Sequence, residues 1–120
     1  MKKLVFIFLI LIPRILYSQV SIHDIQYTTN AGTNSTYPSP YEGQVVNTGG
    51  IVTATGFSGG RYFISSSAGG AWSGIYIYDN TYSPSIGDSI VITGQVYEYN
   101  GLTELKSLTA FEIISSSNPL

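Results

Sequence analysis

The sequence contains no cysteine and a single histidine, His23. Without cysteine, no disulfide constrains the unfolded chain, so sheet pairing and burial of aromatic side chains must supply the stability. One histidine is too few for a His-paired metal site, and no Ser-His-Asp triad is indicated around it. The acids are dispersed, and Asp79 and Asp88 are typical of loop ends, with a calcium site as the alternative. We therefore predict no catalytic residue, metal or cofactor.

Long apolar runs are also absent after the first residues. Residues 1–3 include two lysines, and residues 4–12 form an unbroken apolar run. Arg14 keeps the apolar run from extending further. A bilayer-spanning helix needs about 20 apolar residues, so a retained anchor is the weaker interpretation. The layout predicts a secretory signal peptide over residues 1–18. We expect a secreted protein, extracellular or periplasmic, without a stable membrane anchor after cleavage.

Positive charge is scarce after the predicted signal peptide. Residues 19–120 contain only two cations, Arg61 and Lys106, against all seven acids, which gives a net charge of −5. Binding to phosphate backbones strengthens with the number of cations engaged. The composition therefore argues against strong autonomous binding of nucleic acid.

Strand patterning dominates residues 41–114. Residues 90–99 alternate with period 2, and Asn100-Gly101 is the pair that a two-residue type I′ turn favours. Further strands are predicted at 44–55, 61–65 and 72–78, followed by a fifth from Leu102. Gly49-Gly50 predicts a bend at which the first strand changes partners.

These patterns predict an all-β domain, a five-stranded OB-like antiparallel barrel without an inserted helix. Residues 19–40 are expected to form a lead-in strand, with Val20, Ile22 and Tyr27 packing on the barrel, followed by a polar loop. Residues 115–120 have the composition of a linker or tail.

A family resemblance covers nearly all of residues 19–120. The order of short motifs resembles the OB-like domain that precedes the catalytic domain in secreted bacterial nucleases of the endonuclease/exonuclease/phosphatase superfamily. The motifs are Ile22-His23-Asp24-Ile25-Gln26, Ser39-Pro40-Tyr41-Glu42-Gly43-Gln44-Val45-Val46, Gly50-Ile51-Val52-Thr53-Ala54, Tyr62-Phe63-Ile64, Gly74-Ile75-Tyr76-Ile77-Tyr78, Gly87-Asp88-Ser89-Ile90-Val91-Ile92-Thr93-Gly94 and Glu98-Tyr99-Asn100-Gly101-Leu102-Thr103-Glu104-Leu105. The resemblance implies a non-catalytic module that binds nucleic acid or positions a downstream nuclease domain.

Aromatic side chains are the candidate ligand-binding groups. OB-folds bind single strands by stacking bases on aromatic rings near strands two and three, at roughly 1–3 kcal/mol per base. The candidates here are Tyr62, Phe63, Trp72, Tyr76 and Tyr78, with Arg61 as the cation. The alternative for these rings is packing, and Tyr97 and Tyr99 are expected to form cross-strand pairs in the hairpin.

Two other functions remain open at this point. The same tyrosines could stack on sugars in a glycan-binding or cell-surface module, for which the negative charge is irrelevant. The domain could also be a structural spacer of a larger exported protein. The leading prediction is a non-catalytic secreted OB-like module of an extracellular nuclease that binds single-stranded nucleic acid weakly or positions the nuclease domain.

Overall fold

The computed structural model describes residues 19–120, so the predicted signal peptide lies outside the described residues. Strands dominate this part of the chain, accompanied by one short α-helix and one 3-10 turn. The elements are α1 (Ile22–Gln26), the 3-10 turn Thr33–Ser35, β1 (Val45–Phe57), β2 (Arg61–Ser65), β3 (Gly74–Tyr78), β4 (Ser89–Tyr99) and β5 (Leu102–Ser115). Neither helix found in these residues has the length and hydropathy required to cross a bilayer.

The five strands close into a barrel with the order β1-β2-β3-β5-β4. Four of the strand pairs are antiparallel, and the β3–β5 pair is parallel, with Tyr76 opposite Glu104 and Tyr78 opposite Lys106. Residues 79–88 connect β3 to β4 without a helix. The predicted OB-like barrel without an inserted helix is therefore confirmed, with one parallel pairing that the sequence pattern did not indicate.

The hairpin between β4 and β5 follows the predicted turn chemistry. Asn100 and Gly101 both have positive φ, 48° and 82°, as a type I′ turn requires. Tyr99 and Leu102 are the flanking pair, and the ladder continues to Ser89 opposite Ser115. This long hairpin places the start of β5 beside the end of β4.

The bend predicted at Gly49-Gly50 is where β1 changes partners. Residues 45–51 pair with β4, and residues 51–57 pair with β2. A Cβ atom added at Gly50 would lie 2.7 Å from the carbonyl oxygen of Ser65, and one at Gly49 would lie 2.9 Å from that of Ile90. A Cβ atom at either position fits only if the facing backbone shifts, so both glycines favour the close strand approach at the bend.

The lead-in strand predicted at the start of the domain is wrong. Residues 22–26 form α1, in which the Ser21 hydroxyl accepts a hydrogen bond from the Asp24 amide at 3.1 Å. Ser21 is thus an N-cap, and the i, i+3 spacing puts Ile22 and Ile25 on one helix face. A single short turn is too brief for its periodicity to be distinguished from that of a strand.

The core combines the inward residues of the barrel with the two isoleucines of α1, which packs against β1 and β3. Every strand contributes alternating side chains to it. The buried set is Ile22, Ile25, Val46, Val52, Tyr62, Ile64, Ile75, Ile77, Ile90, Ile92, Val96 and Leu105.

We expect Gly50→Ala to lower the free energy of unfolding by about 1–3 kcal/mol, because its methyl group must displace the Ser65 backbone. Gly74→Ala is the matched control, since a Cβ atom there meets nothing closer than 3.5 Å. Urea denaturation of both variants measures the difference. Equal stability losses would contradict the role given to Gly50.

Candidate functional site

A row of aromatic side chains crosses the outer face of the barrel from β2 to β4. Phe63 is opposite Tyr76, Tyr76 is opposite Glu104, and Glu104 is opposite Tyr97. Side chains of directly opposed residues project from the same face of a sheet. The outer face therefore presents three rings with one carboxylate between the second and third, which we call the aromatic row.

A second row, carrying the positive charge, lies beside the first. Tyr78 is opposite Lys106, which is two residues beyond Glu104 on the same face of β5. The guanidinium carbon of Arg61 lies 3.8 Å from the centre of the Tyr78 ring. The ammonium nitrogen of Lys106 lies 3.5 Å from the centre of the Tyr97 ring, which joins the two rows.

The two rows border an open groove with a volume of about 550 Å³. We call it the tyrosine groove. It is lined by Ser58, Arg61, Tyr76, Tyr78, Tyr97, Tyr99, Leu102, Glu104 and Lys106. Both cations of residues 19–120 lie in it, each against an aromatic ring. The positive charge of the domain is thus collected in one place.

Neither cation is held by a carboxylate. Within residues 19–120 the one contact between oppositely ionisable groups is His23 Nδ1 to Asp24 Oδ1, at 3.7 Å. Cation–π contacts therefore position Arg61 and Lys106 and leave their hydrogen-bond donors free of acidic partners among the described residues.

Glu104 forms part of the groove although it is only 3% exposed. Burial raises the pKa of this carboxyl above its usual value, and the charge of Glu98 adds to the effect. Arg61 and Lys106 act in the opposite direction and favour the ionised form. The desolvation of Glu104 is the larger influence.

Three of the predicted binding residues, Arg61, Tyr76 and Tyr78, come together in the groove. Phe63 is half-buried beside it, with ring centroids 5.4 Å from Phe57 and 5.0 Å from Tyr76. Phe63 therefore supports the Tyr76 ring from the side.

The prediction for Tyr62 as a stacking residue is wrong. Tyr62 is fully buried opposite Ile77, because residues 61 and 63 face outward and the strand period places residue 62 inside. Its hydroxyl has no hydrogen-bond partner among the described residues, and burial raises its pKa. The alternation that exposes Phe63 already excluded Tyr62 from the same face.

Trp72 lies apart from the groove, in the loop between β2 and β3. Its ring makes an edge contact with Tyr27, with centroids 5.9 Å apart, and the residue is 47% exposed. Trp72 therefore extends the packing around the N-terminal segment rather than the tyrosine groove.

Sequence reasoning missed six of the nine groove residues, of which Tyr97, Tyr99, Glu104 and Lys106 carry the aromatic and charged groups. Tyr97 and Tyr99 were expected to pair across the hairpin, and they do lie opposite Glu104 and Leu102. The same alternation that predicted β4 placed both rings outward. What was missing was the parallel β3–β5 pairing, which brings these side chains beside Tyr76 and Tyr78.

The acids at the loop ends have turn roles. Asp79 accepts hydrogen bonds from the amides of Thr81 and Tyr82 at 3.2 and 3.1 Å, and Asp88 accepts one from Ser85 at 2.9 Å. No group of three or more His, Cys, Asp or Glu side chains suited to a metal ion is found in residues 19–120.

A solved structure with a similar fold is an OBody, AM1L10, bound to hen egg-white lysozyme. The TM-score is 0.52 and the identity is 20%, over 64% of this chain and 84% of that chain. The likeness supports the OB-like barrel. No protein-family model matches the sequence, and no curated protein matches it either.

We expect Glu104→Gln to make the protein more stable than the natural chain at pH 7. A carboxyl whose pKa is raised by folding destabilises the folded state when it ionises. Glu104 therefore lowers the free energy of unfolding little below its unfolded pKa of about 4.3, and the loss of stability develops as the pH rises through the raised, folded-state pKa. The gain should therefore vanish near pH 4. Melting temperatures from pH 4 to 8 test this, with exposed Glu112→Gln as the control. A gain independent of pH would contradict the assignment.

Proposed function

We propose that this chain is a non-catalytic OB-fold module that binds single-stranded nucleic acid in the tyrosine groove. The observation that carries the proposal is that both cations of residues 19–120 lie in this groove, each positioned by an aromatic ring. Phosphates and bases are the two ligand groups that such a combination accommodates.

The way the cations are held favours a phosphate ligand. Ring contacts position Arg61 and Lys106 without occupying their donors in an ion pair with a described acid. A phosphate can therefore bind without first displacing a carboxylate. Arg61 can offer two parallel N–H groups to phosphate oxygens, whereas Lys106 acts as a point charge.

The tyrosines supply surfaces for bases. Lys106 covers Tyr97 and Arg61 covers Tyr78, whereas Tyr99 is 58% exposed at the end of the groove. Tyr76 belongs to the aromatic row, where it lies opposite Glu104 and has no cation over its ring. Base stacking on aromatic rings contributes about 1–3 kcal/mol per base by alanine substitution. Tyr76 and Tyr99 are the candidates for that contact.

The overall charge limits the affinity. The net charge of −5 in residues 19–120 repels a polyanion, and two cations can neutralise about two phosphates. We therefore propose weak binding that serves to position a strand. On the resemblance to secreted nucleases, we also propose that the module acts in an exported protein beside a catalytic nuclease domain.

Binding of a labelled dT hexamer should weaken about sevenfold between 50 and 200 mM salt. This follows from about two phosphate contacts, each of which contributes about −0.7 to the slope of the logarithm of the binding constant against the logarithm of the salt concentration. Fluorescence polarisation of the purified protein measures this. Arg61→Ala and Lys106→Ala should each remove about half of the slope, and Tyr76→Ala should weaken binding at every salt concentration.

Tyr37→Ala is the matched control for Tyr76→Ala, because Tyr37 is 48% exposed and lies outside the groove. It should leave binding unchanged. Failure to bind the hexamer even at 50 mM salt, with retention on polysaccharide, would overturn the proposal and favour the glycan-binding module.

A further inference from the structure

We propose that Glu104 makes the tyrosine groove selective for guanine within single-stranded nucleic acid. This inference rests on the proposed function and adds a base preference to it. It begins from a carboxylate located between two rings, Tyr76 and Tyr97, on the strands to either side.

The position of Glu104 brings it under the edge of a stacked base. Adjacent strands lie about 4.8 Å apart, so the backbones carrying Tyr76 and Tyr97 flank Glu104 at about that distance on each side. A base is wider than this spacing. Its edge therefore extends over Glu104 when its face contacts Tyr76, the ring of the two that Lys106 does not cover.

The carboxylate has no protein partner that explains its burial. Glu104 is 3% exposed, accepts none of the side-chain hydrogen bonds found in residues 19–120, and lies more than 4.0 Å from the nitrogen atoms of both cations. Glu98 differs, since its Oε1 accepts hydrogen bonds from the Ser39 amide at 2.8 Å and the Thr103 hydroxyl at 2.7 Å, while its Oε2 is buried without a partner among the described residues. Neither Glu104 oxygen is among the fully buried polar atoms that lack a partner in residues 19–120, so both can be reached from the groove, and a ligand that supplies donors can pair with them.

Guanine is the base whose donors match a carboxylate. Its Watson–Crick edge carries the N1–H and N2–H groups side by side, which can form two parallel hydrogen bonds to the two oxygens. Cytosine and adenine offer an amino group next to an acceptor nitrogen, and thymine places its N3–H between two carbonyl oxygens. Each of those acceptors would face the carboxylate and repel it. A bidentate pair is the arrangement that discriminates between bases.

The test compares three labelled hexamers, namely dT6, dT6 with one central deoxyguanosine, and dT6 with one central deoxyinosine. Deoxyinosine keeps N1–H and lacks the N2 amino group. We expect the guanine hexamer to bind at least about fivefold more tightly than dT6, the low end of discrimination by one bidentate pair, with the inosine hexamer in between.

Glu104→Gln should reduce the guanine preference to about twofold or less while dT6 still binds, because an amide presents a donor where the carboxylate presents an acceptor. Glu112→Gln, an exposed residue of β5 outside the groove, is the matched control and should keep the preference. Circular dichroism confirms that each variant is folded.

The outcomes separate the two proposals. Equal binding of all three hexamers would overturn the guanine inference and leave single-strand binding in place. A guanine preference that survives Glu104→Gln would overturn the role of Glu104. Failure of every hexamer to bind at 50 mM salt would overturn the proposed function and this inference with it.

Discussion

The parallel pairing of β3 with β5 is the contact on which both the barrel and the groove depend. It spans only three residue pairs, from Tyr76 opposite Glu104 to Tyr78 opposite Lys106. Without it the strands would form an open sheet, and the tyrosines of β3 would have no charged neighbours from β5. Closure of the barrel and assembly of the tyrosine groove are therefore one structural event.

Closure of the barrel also determines how the positive charge is distributed over the surface. A chain with few cations would ordinarily be a poor partner for a polyanion, because electrostatic attraction scales with the number of phosphates neutralised. Here the aromatic rings concentrate both cations of residues 19–120 in one groove, which is lined by only one of the seven acids, Glu104. The local field of the groove can therefore differ in sign from that of the whole domain.

Much of the architecture followed from local patterns in the sequence. The turn at Asn100-Gly101 and the bend at Gly49-Gly50 are encoded by residues whose backbone requirements are strict, and both were predicted correctly. The groove was predicted only in part, because Lys106 joins Tyr78 through a parallel pairing of strands distant in sequence. Tyr62 was misassigned because the aromatic residues on and beside strands two and three were grouped without applying the alternation that places residue 62 inside, and α1 was missed because one capped turn carries too little periodicity.

The packing of Trp72 on Tyr27 has a practical consequence for spectroscopy. Trp72 is the sole indole of the chain, and it lies against the N-terminal segment rather than in the groove. Its emission therefore reports the docking of that segment, whereas quenching of the four groove tyrosines reports occupancy of the groove. One molecule thus carries two intrinsic optical probes that separate folding from ligation.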